Sequence, residues 1–198
     1  AGGGARVELF ARDAIDLASG SRIVASASNA GARGGEVRVA SSEDGLRFDA
    51  GSTIDVRAGD AGPAGSVTFG VSRSATNELA PTELDGTVLH YSTSGLAAHV
   101  AGQPGDAAAS VDVEATRRYT VSGTVTAPTS SGYASDHEAF ISGSNPSAVL
   151  GGLRDETGVA VGARLLGATE LRSSGNVTLG AAWDLTTAQW LAGDRPGT

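Results

Sequence analysis

The sequence predicts an all-β fold of the solenoid type, in which short parallel strands stack from one repeat unit to the next. The first observation is a six-residue stretch that recurs at a fixed interval. Residues 4–9 (GARVEL) return as 34–39 (GGEVRV) and again as 64–69 (AGSVTF). Val7 to Val37 spans 37 − 7 = 30 positions, and Val37 to Val67 spans 67 − 37 = 30. A fixed period of this size is typical of solenoids, propellers and other repeat arrays.

The second observation is that each unit holds three short triplets with apolar residues at their first and third positions. In the first unit the triplets are 7–9 (VEL), 15–17 (IDL) and 23–25 (IVA). Alternation with period two predicts half-buried strands, and the Gly, Ser and Asn residues between triplets predict turns. Three short strands per unit describe a parallel β-helix, because a single unit cannot bury its apolar face but stacked units share one core.

The outward positions of the triplets support this register. Glu8 would lie beside Arg38, and Asp16 beside Arg47. Neighbours of opposite charge on adjacent strands contribute about 0.2–1 kcal/mol each. Two other repeat architectures fit the sequence less well. A propeller blade needs four longer antiparallel strands and about forty residues, and a left-handed hexapeptide helix needs a six-residue period, which the sequence does not show.

The repeat divides the 198 residues into three parts of one continuous solenoid domain. Residues 1–72 carry the clear β-helix repeats. Residues 73–150 lose the period, and we expect irregular units or an insertion there. Residues 151–198 return to the repeat.

The returning part is recognised by three matches to the first part. Residues 167–175 match 51–59, residues 176–180 match 66–70, and 182–185 (AWDL) match 14–17 (AIDL). Trp183 takes the place of Ile15, so we expect it in the core. Trp190 has no equivalent in the repeat and would cap the last unit or be exposed there.

Composition excludes several functional classes. The net charge of −8, with no clustered basic face, argues against binding to nucleic acid. The absence of cysteine excludes disulfides, a thiol nucleophile and a cysteine-ligated metal. No apolar run is long enough to span a membrane. The chain shows no signal peptide and begins inside the repeat, so we expect it to be a segment of a longer protein.

The candidate site residues are few. Asp136–His137–Glu138 groups ionisable residues around a histidine, but sequential neighbours point in different directions, so we expect a solvated loop. His90 and His99 lack metal-ligand spacing, and we expect them at strand or loop positions. Asn176 begins a glycosylation acceptor motif on a predicted strand, and no Gly-x-Ser-x-Gly elbow occurs. The sequence therefore predicts no catalytic, cofactor-binding or metal-binding residue.

A set of motifs recurs at residues 4–9, 34–39, 15–17, 20–25 and 51–56, with further elements at 118–121, 171–176 and 183–185. These motifs resemble the repeats of filamentous-haemagglutinin-like exoproteins, the secreted partners of bacterial two-partner secretion systems, and they also resemble autotransporter passengers. The resemblance implies a right-handed parallel β-helix that is exported to the cell surface through a dedicated outer-membrane transporter. Such proteins serve as adhesins or as stalks that carry a toxin in contact-dependent growth inhibition.

We therefore expect a structural and adhesive segment without enzymatic activity or cofactor, which binds a receptor or glycan on host or neighbouring cells. Its binding surface would be the side of the solenoid together with residues 73–150. The alternative is a glycan-cleaving β-helix enzyme, a polysaccharide lyase or hydrolase. A hydrolase needs two carboxylates that face each other across a groove, and Asp136 and Glu138 are the residues that would test this.

Overall fold

The computed structural model describes residues 3–101, 108–127 and 132–180. Within these residues the sheets are parallel, strands predominate and helices are few, so the fold is all-β. The expected positions of Trp183 and Trp190 and the match of 182–185 lie outside the described residues.

The first three repeat units each contribute three strands. These are β1 (Arg6–Ala11), β2 (Ile15–Leu17) and β3 (Arg22–Val24), then β4 (Glu36–Ser41), β5 (Leu46–Phe48) and β6 (Thr53–Asp55), then β7 (Ser66–Arg73), β8 (Thr82–Leu84) and β9 (Thr87–Leu89). Three helices and four further strands follow. In chain order these elements are α1 (Thr93–Val100), β10 (Ser110–Val121), β11 (Val125–Ala127), α2 (Gly132–Gly143), α3 (Pro146–Leu150), β12 (Ala163–Ser173) and β13 (Val177–Leu179).

Each of the first three units adds one strand to each of three parallel sheets. The first sheet has the order β1-β4-β7-β10-β12, the second β2-β5-β8 and the third β3-β6-β9. The third sheet is continued by a parallel bridge between Thr87 and Arg154. Strands β11 and β13 form a separate parallel pair.

The predicted register of the first units is confirmed. Val7 pairs with Val37, and Val37 pairs with Val67. The expected neighbours Glu8 and Arg38 also lie opposite each other, but their ion pairs have other partners. Glu8 pairs with Arg6, while Arg38 reaches across β7 to Glu114 on β10 at 2.5 Å. Asp16 and Arg47 also lie opposite each other, although Arg47 forms its ion pairs with Asp49 and Glu83. The charge pattern therefore agrees with the observed register, while the ion pairs join other residues.

After β7 the number of residues between paired strands of the first sheet increases. Val67 pairs with Val111, a spacing of 111 − 67 = 44 residues, and Val111 pairs with Ala163, a spacing of 163 − 111 = 52. Helix α1 occupies part of the first extension, and α2 and α3 occupy part of the second. Strands β8 and β9 still pair in parallel with β5 and β6, so the region from residue 73 retains strands of all three sheets.

Two of the sequence matches in the last part are wrong. Residues 167–173 lie in β12 of the first sheet, whereas their proposed equivalents at 51–57 contain β6 of the third sheet. Residues 177–179 form β13 and pair with β11, not with the first-sheet strand that contains 66–69. Alternation of apolar and polar residues identifies a strand, but it does not identify the sheet to which the strand belongs.

The core lies between the sheets and is built from the inward residues of the triplets. Phe48 of β5 and Phe69 of β7 are among its largest buried side chains, and their ring centroids are 5.6 Å apart. Glycines allow the chain to come close at the start of each unit. A Cβ on Gly65 would lie 1.8 Å from the carbonyl oxygen of Gly35, a contact that only glycine permits.

Candidate functional site

The group Asp136–His137–Glu138 lies on helix α2, so the expectation of a solvated loop is wrong. Asp136 faces the first sheet, His137 is only 6% exposed, and Glu138 is exposed. His137 packs over Gly167 of β12, where a Cβ would lie 2.4 Å from the imidazole Cε1. Within the described parts of the chain, no group of three His, Asp or Glu residues could hold a metal ion.

The carboxylates of Asp136 and Glu138 do not face each other across a groove. They are two positions apart on one helix, which separates their directions by roughly 200° around the axis. The Asp136 carboxylate accepts a hydrogen bond from the Tyr119 hydroxyl at 2.6 Å, while Glu138 lies at the surface. This arrangement differs from the facing carboxylates of glycoside hydrolases.

His90 lies in the loop after β9, as expected, and is buried, whereas His99 lies on helix α1, so the expectation of a strand or loop position is wrong for His99. The His90 Nδ1 accepts a hydrogen bond from the backbone N–H of Ala109 at 3.0 Å. The Glu156 carboxylate accepts the backbone N–H groups of His90 and Tyr91 at 3.0 and 2.7 Å. Burial lowers the pKa of His90, although Glu156 acts in the opposite direction. His90 therefore serves as a neutral acceptor that ties this loop to the start of β10.

A groove of about 440 Å³ lies on the outward face of the first sheet, at the carboxyl ends of its strands. Ala40 and Gly70 line the floor of the groove. A larger residue does not fit at Gly70, because its Cβ would lie 2.7 Å from the Cβ of Ala40. Phe10 of β1 stands at one side and is 64% exposed. The other lining residues that matter here are the hydroxyl residues Ser42, Ser72 and Thr116 and the charged residues Arg12, Arg38, Arg118, Glu170 and Arg172.

Ion pairs hold the charged side chains of the groove in place. The Arg118 Nε donates to Glu170 at 2.9 Å, and its Nη1 donates to the backbone carbonyl of Ser42 at 2.5 Å. Burial raises the pKa of Glu170, but hydrogen bonds from Arg172 and Arg118 outweigh this effect and leave the pKa below its ordinary value. Glu170 therefore stays ionised at neutral pH and is unsuited to act as a general acid.

A second polar arrangement lies on the opposite, inward face of the same sheet. The inward row Val71–Ala115–Gly167 is followed by the row Arg73–Arg117–Thr169 on strands β7, β10 and β12. Helix α2 packs over this row and brings in the carboxylate of Asp136. We call Arg73, Arg117, Tyr119, Asp136, His137 and Thr169 the buried arginine cluster.

The pKa values in the buried arginine cluster are shifted mainly by burial. Burial lowers the pKa of Arg73, with a contribution in the same direction from Arg117. Burial and then Arg73 lower the pKa of His137, so its imidazole is neutral at neutral pH. Burial and the hydrogen bond to Asp136 raise the pKa of Tyr119, which keeps its hydroxyl protonated. Shifted groups in such numbers occur often at functional sites.

Sequence analysis missed both the groove and the buried arginine cluster. The signal for the cluster is the alternation 67–73 (VTFGVSR), which places Arg73 at an inward position after three apolar ones. The groove forms where Arg118 and Arg172 lie on the same outward face of the first sheet as Arg38. Because the spacing changes after β7, no fixed period relates these positions.

Comparisons of the chain with protein-family models, with curated proteins and with solved structures find no match. Within the described residues, no helix is both long and apolar enough to cross a membrane.

Proposed function

We propose that the chain is a right-handed parallel β-helical segment of a large secreted bacterial surface exoprotein of the filamentous-haemagglutinin-like kind. The observation that carries this proposal is the addition of one parallel strand to each of three sheets by each of the first three units. Strands that recur in this way form a rod with continuous outer faces, which suits a protein that extends from a cell. The full-length protein would reach the surface through an outer-membrane two-partner-secretion transporter.

The role we assign to this segment is attachment to cells or presentation of a distal effector, with the groove on the first sheet as the adhesive surface. The exposed ring of Phe10 offers an apolar face to a ligand. The nearby Arg12 and Arg118 offer guanidinium donors, and Ser42 and Thr116 offer hydroxyls. Donors of this kind suit the hydroxyl and carboxylate groups of a glycan or glycosylated receptor.

The adhesive surface is tested with Phe10→Ala against a matched control. Val24→Ala also shortens an exposed apolar side chain, since Val24 is 53% exposed on β3, outside the groove. Multimers of each variant would be measured for binding to a glycan panel and to host or neighbouring bacterial cells. We expect Phe10→Ala to weaken binding at least fivefold and Val24→Ala to leave it unchanged. Equal binding by both variants would remove the groove from the proposal.

Export is tested separately with antibodies raised against the purified chain. If the segment belongs to a surface exoprotein, these antibodies label intact cells that produce it. Treatment of the intact cells with protease should then remove the signal. Labelling only after the cells are lysed would contradict the proposed location, whatever the result of the adhesion assay.

A further inference from the structure

We propose that the buried arginine cluster is a binding site for a small inorganic oxyanion such as phosphate or sulfate. The cluster lies between the inward face of the first sheet and helix α2, away from the outward groove. Its central side chain, Arg73, is 0% exposed. A macromolecular ligand cannot reach such a position, so the ligand must be small. This binding site is additional to the proposed adhesive function and does not depend on it.

The guanidinium of Arg73 is held in place by hydrogen bonds and by an aromatic ring. Its Nη1 donates to the Asn77 side-chain oxygen at 2.7 Å and to the Asp136 backbone carbonyl at 3.3 Å. Its guanidinium carbon lies 4.5 Å from the ring centroid of Phe140 on α2, a cation–π contact. These contacts fix the direction of the guanidinium but add no negative charge to balance it.

The charges around the cluster are not balanced by its own carboxylate. Asp136 Oδ2 is 3.9 Å from Arg73 Nη1 and 3.8 Å from Arg117 Nε, which is too long for a hydrogen bond in either case. The same oxygen instead accepts the Tyr119 hydroxyl at 2.6 Å. One carboxylate thus faces two guanidiniums beside a neutral His137. The Arg73 side chain is fully buried, whereas that of Arg117 is 22% exposed. An uncompensated positive charge at the buried position is costly unless an anion lies beside it.

Unpaired donors point to the same ligand chemistry. Five buried side-chain polar atoms of the described residues have no hydrogen-bond partner, and four belong to this cluster: Arg73 Nε, Arg117 Nε, His137 Nδ1 and Thr169 Oγ1. Each of the four can donate a hydrogen bond. Buried polar groups of this kind normally have partners. A tetrahedral oxyanion accepts several donors and supplies the missing charge, whereas one water molecule accepts only two.

The proposal is tested by thermal unfolding of the whole chain in phosphate, in sulfate and in sodium chloride at equal ionic strength. A ligand that binds only the folded state raises Tm with the logarithm of its concentration. We expect a rise of about 5–10 °C at roughly one hundred times Kd. Isothermal titration with inorganic phosphate supplies Kd directly. Equal Tm values in the three salts, with no heat of binding, would overturn the proposal.

Three variants and one control sharpen this test. Arg117→Gln removes the excess charge and should abolish the rise in Tm, whereas Asp136→Asn increases the excess and should tighten phosphate binding about tenfold. Thr169→Val removes one unpaired donor, so it should raise Tm without anion and reduce the response to phosphate. The control Arg6→Gln alters an exposed arginine on β1, outside the cluster, and should respond as the unmodified chain does. A full response to phosphate in Arg117→Gln would contradict the assignment.

Discussion

Replacement of Phe69 by alanine should be among the most destabilising single changes in this chain. Phe69 is 0% exposed on β7 and pairs in register with Val39 of β4 and Val113 of β10. Its ring lies 5.6 Å from that of Phe48 on β5, so it joins the first and second sheets. Shared burial of this kind is what makes stacked units into one core.

The expected loss follows from the size of the side chain that is removed. Phe→Ala at a fully buried site costs about 3–5 kcal/mol, which combines lost transfer free energy with the cavity that remains. For a chain of this size, this corresponds to a decrease in Tm of about 6–20 °C. The free energy of unfolding would be measured by urea denaturation followed by far-ultraviolet circular dichroism.

The matched control for this prediction is Phe10→Ala, which removes the same atoms from a ring that is 64% exposed. A substitution at such a surface position should change the free energy of unfolding by about 0.5 kcal/mol or less. The reasoning is refuted if Phe69→Ala costs under about 1 kcal/mol, or if the two variants lose equal stability.

The remaining predictions concern pH and chain packing. Burial raises the pKa of Asp55, but hydrogen bonds from Arg57 and Arg22 outweigh it and leave the pKa low. Asp55 thus stabilises the fold above its ordinary pKa of about 3.9, and this contribution is lost as pH falls through the lower folded value. Asp55→Asn should therefore be less stable at pH 7 and lose less stability below about pH 4 in urea titrations. Burial lowers the pKa of His90 from 6.5, so the folded state binds fewer protons than the unfolded state just below that pH. Stability should decrease as pH falls from about 6.5, and His90→Gln, which keeps an acceptor, should reduce this decrease in melting experiments. Gly65→Ala should cost about 1–3 kcal/mol through overpacking, whereas Gly162→Ala, which meets open space, should cost far less in the same denaturation assay.

The sequence predicted the first three units well because alternation and period act together there. Val7, Val37 and Val67 recur at equal spacing, and their pairing in the structure follows that spacing. A shift by one residue would turn every apolar side chain of the strand to the outside, so the register is strongly determined. Where the loops between strands keep a constant length, the local sequence pattern is therefore sufficient to predict which strands pair and in which register.

Where the loops change length, the same pattern does not predict the sheet to which a strand belongs. Residues 167–175 alternate and end in glycine as 51–59 do, yet β12 belongs to the first sheet and β6 to the third. Helices α2 and α3 lie between β11 and β12, and a period of 30 leaves no room for them. Sheet membership is fixed by tertiary pairing, which a single unit of sequence does not encode.

The groove and the buried arginine cluster depend on this tertiary pairing. Arg73 and Arg117 become neighbours only because β10 pairs with β7 across a spacing of 44 residues, given by 111 − 67. Asp136 then joins them because α2 packs against β12. The sequence expectation of a solvated loop for Asp136–His137–Glu138 is wrong, because the packing of helix α2 against the sheet is not predictable from neighbouring residues.

A crystal structure of the chain tests the proposed right-handed parallel β-helix most directly. We expect Val7, Val37 and Val67 to lie in line, about 4.8 Å apart from strand to strand. We also expect the chain path through the three sheets to be right-handed. Antiparallel pairing between β1, β4 and β7, or a left-handed path, would contradict the account and the family resemblance on which the proposed function depends.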